Sequence, residues 1–172
     1  MPRLVEPTIE LHAAWLDAYR EWGVGMHEDG FGVLPSDELT SATGFSTWLE
    51  RLDREENGSA VGRVDYRCVY RWIVDGDAVV GGIALRHGDD NFIRGAGHIG
   101  YGIRPSARRQ GLATWALGQI LDVARDLRLG RVLLVCEADN AGSAVTIERN
   151  AGVFERIEET RHGPVRRYWI TL

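Results

Sequence analysis

The segment from Gly97 to Arg128 constrains this chain more than any other, because its hydrophobic period changes in the middle. Ile99, Tyr101 and Ile103 alternate with His98, Gly100 and Gly102, the twofold repeat of a strand. Pro105 and Ser106 stop that strand, since proline brings no ladder donor and restricts its neighbour. From Leu112 the spacing becomes three and four. Leu112, Ala116, Ile120, Val123 and Leu127 form one stripe, widened by Ala113, Leu117, Leu121 and Ala124, which predicts a deeply packed helix. The junction, Arg108-Arg109-Gln110-Gly111-Leu112-Ala113, places glycine and alanine where the first amides of a helix have no partner. Those amides and the helix dipole favour an anion, and two arginines add charge at the rim. The junction reads either as a pyrophosphate cradle or as glycine placed for packing. Two other phosphate loops are excluded. A Walker A loop needs Gly-Lys-Ser/Thr, and the chain contains no lysine. A dinucleotide fingerprint needs a third glycine where Pro105 stands.

Around this unit the pattern predicts a short strand over Arg3–Glu6, then a helix capped by Thr8, carrying Leu11, Trp15 and Tyr19 and ended by Gly23. A loop from Val24 to Pro35 follows. A second helical segment, capped by Ser36 and interrupted at Gly44, carries Leu39, Phe45, Trp48, Leu49 and Leu52. Val69–Val74 and Ala78–Leu85, joined by Asp75-Gly76-Asp77, read as a hairpin. His87–Ala96 reads as a loop. After the long helix come a doubly buried strand at Arg131–Cys136, a helix over 140–151, and two strands at Val153–Thr160 and Val165–Leu172. The strand–helix–strand unit at 97–136 is expected to form a parallel pair with a right-handed crossover.

At 172 residues the chain suits one α/β domain spanning 1–172, and 44% hydrophobic with 26% charged residues are globular proportions. A formal net charge of −5 argues against a nucleic-acid partner and suits either a cationic or amine-bearing substrate or simply the ordinary acidity of a soluble protein. Cys68 and Cys136 do not make a disulfide framework, so a reduced, cytoplasmic setting is expected. No apolar run approaches the ~20 residues that span a bilayer, and the first residues lack a signal-peptide core, so no membrane role is expected. No metal site is expected.

Arg108-x-x-Gly111-x-Ala113 resembles the Gln/Arg-x-x-Gly-x-Gly/Ala signature of the GCN5-related N-acetyltransferases, the GNAT superfamily. Asp139-Asn140-Ala141-Gly142-Ser143 and Ile147-Glu148-Arg149-Asn150-Ala151-Gly152 look like its second half, Asn-x-x-Ser leading to a helix that ends in Asn-Gly-Gly. The likeness covers Val69 to Leu172. With Leu85-Arg86-His87 and Arg166-Arg167-Tyr168-Trp169-Ile170 it extends to a bacterial group of predicted acetyltransferases, which implies no particular acceptor. The resemblance implies a GNAT-like α/β (α+β) fold with about six to seven strands in a mixed, mostly antiparallel sheet and about four flanking helices. The parallel strands at 97–104 and 131–136 would splay apart. A cofactor-binding core at 67–152 would sit beside acceptor-side helices at 8–57.

The same resemblance implies acetyl-CoA as cofactor, entering the splay. Its pantetheine arm would pair with the backbones of Tyr101 and Ile103. The pyrophosphate would lie on Arg108, Arg109, Gln110, Gly111, Leu112, Ala113 and Thr114. Asn140 would contact the arm, or else Asp139 or Asn140 simply caps the helix that follows. Direct attack by an amine in a ternary complex needs an acid for the departing thiolate. The usual family tyrosine falls at Ile147, and a glutamate used by some relatives falls at Val135, so neither can serve. Ser143, which matches the ribosomal-protein N-terminal acetyltransferase branch, is the candidate to orient or protonate the sulfur. Cys136 is read as packing rather than as a nucleophile. His98, titrating near neutrality, is the candidate base, with a structural hydrogen-bonding role as its other reading and His27, Glu28 and Asp29 as alternative bases. His27, Glu28, Asp29 and Tyr168 are candidates for binding the acceptor, a small-molecule amine or a protein N-terminus; the other readings are a solvated acidic loop for the first three and core or interface packing for Tyr168. The rivals are an enzyme using a longer acyl-CoA and a non-catalytic acyl-CoA-binding sensor or scaffold. Aromatic residues on the terminal strand suit a homodimer.

Overall fold

The computed structural model describes residues 1–23, 30–58, 62 and 65–172. The hairpin forms as expected: β2 (Arg67–Asp75) and β3 (Ala78–His87) pair antiparallel through a turn in which Gly76 takes φ 59°. β1 (Arg3–Val5) adds to one edge of this pair and β4 (Ile99–Ile103) to the other, giving a four-stranded sheet in the order β1-β2-β3-β4. A second sheet has the order β5-β7-β6, built from β5 (Arg131–Glu137), β6 (Val153–Thr160) and β7 (Gly163–Thr171). The result is a mixed α/β fold with, among the described residues, seven strands whose ladders are all antiparallel. The two strands expected to splay, β4 and β5, belong to different sheets and meet at one bridge, Gly97 with Leu134, which is antiparallel in sense.

Two cores lie on opposite faces of the sheets. Val69, Ile83, Leu85 and Ile99 pack with α4 (Leu112–Asp126), α5 (Ala141–Arg149) and the inward residues of β5 and β7. Cys68, Tyr70, Trp72 and Val74 alternate onto the other face, under α1 (His12–Trp22) and α2 (Ala42–Asn57). There Trp15, Trp48, Trp72 and Phe45 form one aromatic cluster, with Trp15 and Trp48 centroids 4.8 Å apart. Burial of this kind supplies most of the fold's stability; removing one such ring costs about 3–5 kcal/mol.

Three local expectations are corrected. The first helix begins as a 3-10 turn (Ile9–Leu11), with Thr8 capping it through the Glu10 amide at 3.4 Å. The second starts later than Ser36: Ser41 is its cap, accepting from the Gly44 amide at 3.0 Å, so Gly44 sits in the first turn and breaks nothing. The supposed loop before β4 contains a short helix, α3 (Asn91–Ala96), because Asp90 accepts from the Phe92 amide at 2.7 Å. That segment is too short for a period to show. Among the described residues no helix is long and apolar enough to cross a membrane, and no group of His, Cys, Asp and Glu could hold a metal ion.

Candidate active site

The centre of the molecule is the wedge where the two sheets part. Gly97, at φ 86°, lets the chain fold tightly onto β5: a Cβ there would lie 2.8 Å from the Leu133 carbonyl. The His98 amide donates to the Leu133 carbonyl at 2.7 Å, and the Leu133 amide donates back to His98 Nδ1 at 2.9 Å. Beyond this clasp no ladder joins β4 to β5 among the described residues. On the β3 side, the Arg86 amide donates to the His98 carbonyl at 2.6 Å and the Arg104 amide to the Val80 carbonyl at 2.9 Å. The even-numbered residues of β4 therefore bond β3. The odd ones, Ile99, Tyr101 and Ile103, turn their N–H and C=O groups away from β3, towards the β5 side. The backbones expected to take an added strand are the ones that face the wedge.

At the open end of β4 the chain passes through a 3-10 turn (Pro105–Ala107) into the N-terminus of α4. Arg109 and Gly111 both take left-handed angles, φ 61° and 78°, and among the described residues no side chain caps the helix. Its first amides, from Leu112 to Thr114, are thus left to a ligand or to water. A Cβ on Gly111 would meet nothing within 4 Å, so the ground above the cradle is open. Arg108 Nε is spent on the Ile103 carbonyl at 2.9 Å, which fixes the rim to the strand. The cradle is also tied to α1. Glu21 accepts from the Ser106 amide at 2.6 Å and the Ser106 hydroxyl at 2.9 Å, and pairs with Arg104; these bonds, the Ser106 amide foremost, lower its pKa.

Across the wedge stands the N-terminus of α5. Asn140 caps it, its side chain accepting from the Ser143 amide at 3.0 Å, so the capping alternative is met by Asn140 rather than Asp139. Asn150 ends the same helix and reaches back, Nδ2 donating to the carbonyls of Thr114 at 3.1 Å and Thr146 at 3.0 Å. One amide thereby sets α5 against the first turn of α4. Ser143 meets a residue read from sequence for its backbone alone: Tyr101 Oη lies 2.8 Å from Ser143 Oγ and also donates to the Ser143 carbonyl at 3.4 Å. Ile147, at the customary tyrosine position, is 1% exposed and packs in the core.

The remaining candidates separate from this group. His98 sits at the closed end of the wedge. Burial lowers its pKa, and the Leu133 amide fills the Nδ1 lone pair, so the neutral ring carries its proton on Nε2. With no lone pair open, His98 cannot take a proton from an amine; this corrects its assignment as base. Its ring instead borders a cavity of about 260 Å³ with Ile93, Leu133 and Trp169. Tyr168 is corrected as well: it is 1% exposed, its hydroxyl donates to Glu148 at 3.1 Å, and it presents no surface to an acceptor. His27, Glu28 and Asp29 lie outside the described residues. Cys68 and Cys136 are both buried and form no disulfide.

Residues 4–152 match the acetyltransferase (GNAT) domain family. No curated protein sequence matches this one significantly. Among solved structures, the microcin C7 self-immunity acetyltransferase MccE, in complex with acetyl-CoA and AMP, has a TM-score of 0.73 at 13% identity, covering 99% of this chain and 92% of its own. RimJ of Mycobacterium smegmatis, in complex with CoA-disulfide, has a TM-score of 0.74 at 17% identity, covering 99% and 81%. The acetyltransferase from Salmonella typhimurium that modifies the N-terminal serine of ribosomal protein L7/L12 scores 0.69 at 17%, covering 99% and 95%.

Proposed function

The chain belongs to the acetyltransferase (GNAT) domain family, and on that premise we propose that it is an acetyl-CoA-dependent N-acetyltransferase acting on a primary amine. The acceptor is a small molecule or a protein N-terminus, attacked directly in a ternary complex. The observation that carries this is one continuous track: the first amides of α4, the backbone edge of Tyr101 and Ile103 that faces away from β3, and the hydroxyl pair at Ser143. Acetyl-CoA supplies a thioester carbonyl carbon open to attack by an amine.

The chain's own residues do the rest. The amides of Leu112, Ala113 and Thr114 hold the pyrophosphate with the help of the helix dipole, and Arg109 with Gln110 closes the rim. Tyr101 and Ile103 hold the arm as an added strand, about 13 Å of edge between Ile103 and Ile99 at 3.3 Å per residue. Asn140 holds the α5 cap so that Ser143 faces the wedge. Ser143 then meets the departing sulfur. The amine loses its proton to solvent, since His98 has no acceptor to offer. The solved relatives named for ribosomal-protein acetylation support an N-terminal peptide acceptor, and MccE supports a small molecule.

The test is thiol release from acetyl-CoA with two acceptor sets, peptides beginning with serine or alanine and a panel of small amines. Acetylated product in either set, reduced about 10²-fold or more by Ser143→Ala, is expected of a proton donor. Binding of acetyl-CoA with no thiol released by any amine would leave the sensor or scaffold role in its place.

A further inference from the structure

The proton for the leaving sulfur must come from somewhere, and the customary tyrosine position holds Ile147, which has no hydroxyl to give. We propose that Tyr101, on β4, is the source, delivering its proton through Ser143. This rests on the acetyltransferase reading above and adds a catalytic residue to it.

Three observations converge. Tyr101 shares the face of β4 that carries Ile99 and Ile103 towards α4 and α5, so its ring projects on the side where the helix N-termini gather. Its Oη reaches Ser143 Oγ at 2.8 Å across the mouth of the wedge, a contact between residues 42 apart in sequence. Ser143 is itself fixed, its amide bound to Asn140 Oδ1 at 3.0 Å, so the pair has a defined partner on each side. A serine hydroxyl alone is a poor acid, whereas a phenol ionises near pH 10, close enough to a thiol to hand over a proton.

The step balances without any further reagent. As the C–N bond to the amine forms and the C–S bond breaks, Ser143 gives its hydroxyl proton to the sulfur and takes the Tyr101 proton in the same movement. The attacking nitrogen loses one proton to solvent, and solvent returns one to Tyr101. Asn140 and Asn150 act as positioning residues for the relay, since they hold α5 without touching the hydroxyl pair's protons.

The test uses free CoA, so it needs no acceptor. A donor chain aimed at the sulfur stabilises the thiolate, and bound CoA should therefore ionise at lower pH than CoA in solution. Ultraviolet thiolate absorbance is titrated for CoA bound to the wild type, Tyr101→Phe and Ser143→Ala, with binding followed separately by thermal shift. The expected result is retained CoA binding in both variants and a thiol ionisation constant about tenfold weaker in Tyr101→Phe than in the wild type. With an acceptor from the panel, kcat of Tyr101→Phe should fall while KM for acetyl-CoA holds. If wild-type enzyme binds CoA and the titration curves of wild type and Tyr101→Phe coincide, the tyrosine assignment is wrong and the acetyltransferase reading survives. If the wild type binds no CoA, both fall together.

Discussion

At the scale of single residues, the clasp between β4 and β5 makes His98 a structural group whose titration can be seen. Burial disfavours the charged ring, so its pKa lies below that of the unfolded chain, and the Leu133 amide occupies Nδ1. Below about pH 6.5 the unfolded state then binds more protons than the folded state, and stability falls as pH falls. His87, whose pKa burial also lowers, contributes a share of the same loss. In His98→Asn the amide oxygen can still accept from Leu133, while the titration is gone. Urea unfolding from pH 8 to pH 5 should therefore show a shallower loss in the variant, with the His87 share remaining; an unchanged slope would contradict the neutral clasp. The residues also show where sequence pattern stops. The family resemblance implied a role for the Tyr101 backbone, but which side chain its ring meets depends on a helix 42 residues away. His98 looked titratable because histidine is, and only its partner shows that its acceptor nitrogen is taken. Tyr168 belonged to a strand the pattern found, yet periodicity alone could not say that its face was the buried one.

At the scale of elements, α4 and α5 matter through their N-termini, and one side chain sets their relation. Asn150 Nδ2 bonds a carbonyl on each helix, Thr114 and Thr146. Asn150→Ala should lower stability by about 1–2 kcal/mol, the net worth of such bonds with their carbonyls left short of a partner. Asn150→Asp should cost more, because a carboxylate would face two carbonyl oxygens at the same place. Chemical denaturation of the three proteins gives the order directly, and an aspartate variant as stable as the asparagine would refute the bridge. The elements with a strong period were legible in advance: the β2–β3 hairpin, α4 and β5 formed where hydrophobic spacing put them. α1 follows a 3-10 turn capped by Thr8; α2 starts late because several hydroxyl residues compete for its cap, and Ser41 prevails with Glu38 bonded to its amide at 3.0 Å and to that of Thr40 at 2.8 Å. The Ser41 and Thr40 hydroxyls donate to the same carboxylate and, with these amides, lower the Glu38 pKa to about 2. α3 was missed because one turn and a half carries no repeat.

At the scale of the whole molecule, the sheets part because β4 ends its pairing with β5 after one clasp, and the helix that follows β4 opens its amides at the mouth of the gap. α1, from the other face, is braced against this mouth through Glu21, Arg104 and Ser106, so the N-terminal helices and the cradle form one framework. The paired motifs at Arg108–Ala113 and Asp139–Gly152 made this architecture readable, since each marks a helix N-terminus facing the wedge. The split into two antiparallel sheets was not readable, because a strand's sequence does not say where its neighbour departs. The measurement that decides most is thermal unfolding of the purified protein with and without excess acetyl-CoA, repeated with Gly111→Glu. Glutamate would place a carboxylate over the uncapped amides, at a position whose φ of 78° already disfavours a side chain. Ligand at about 100 times its Kd should stabilise the wild type by roughly 2.7 kcal/mol and leave the folded variant unmoved. A wild type that ignores acetyl-CoA, or a variant that responds as the wild type does, would show that the start of α4 is not where the cofactor binds.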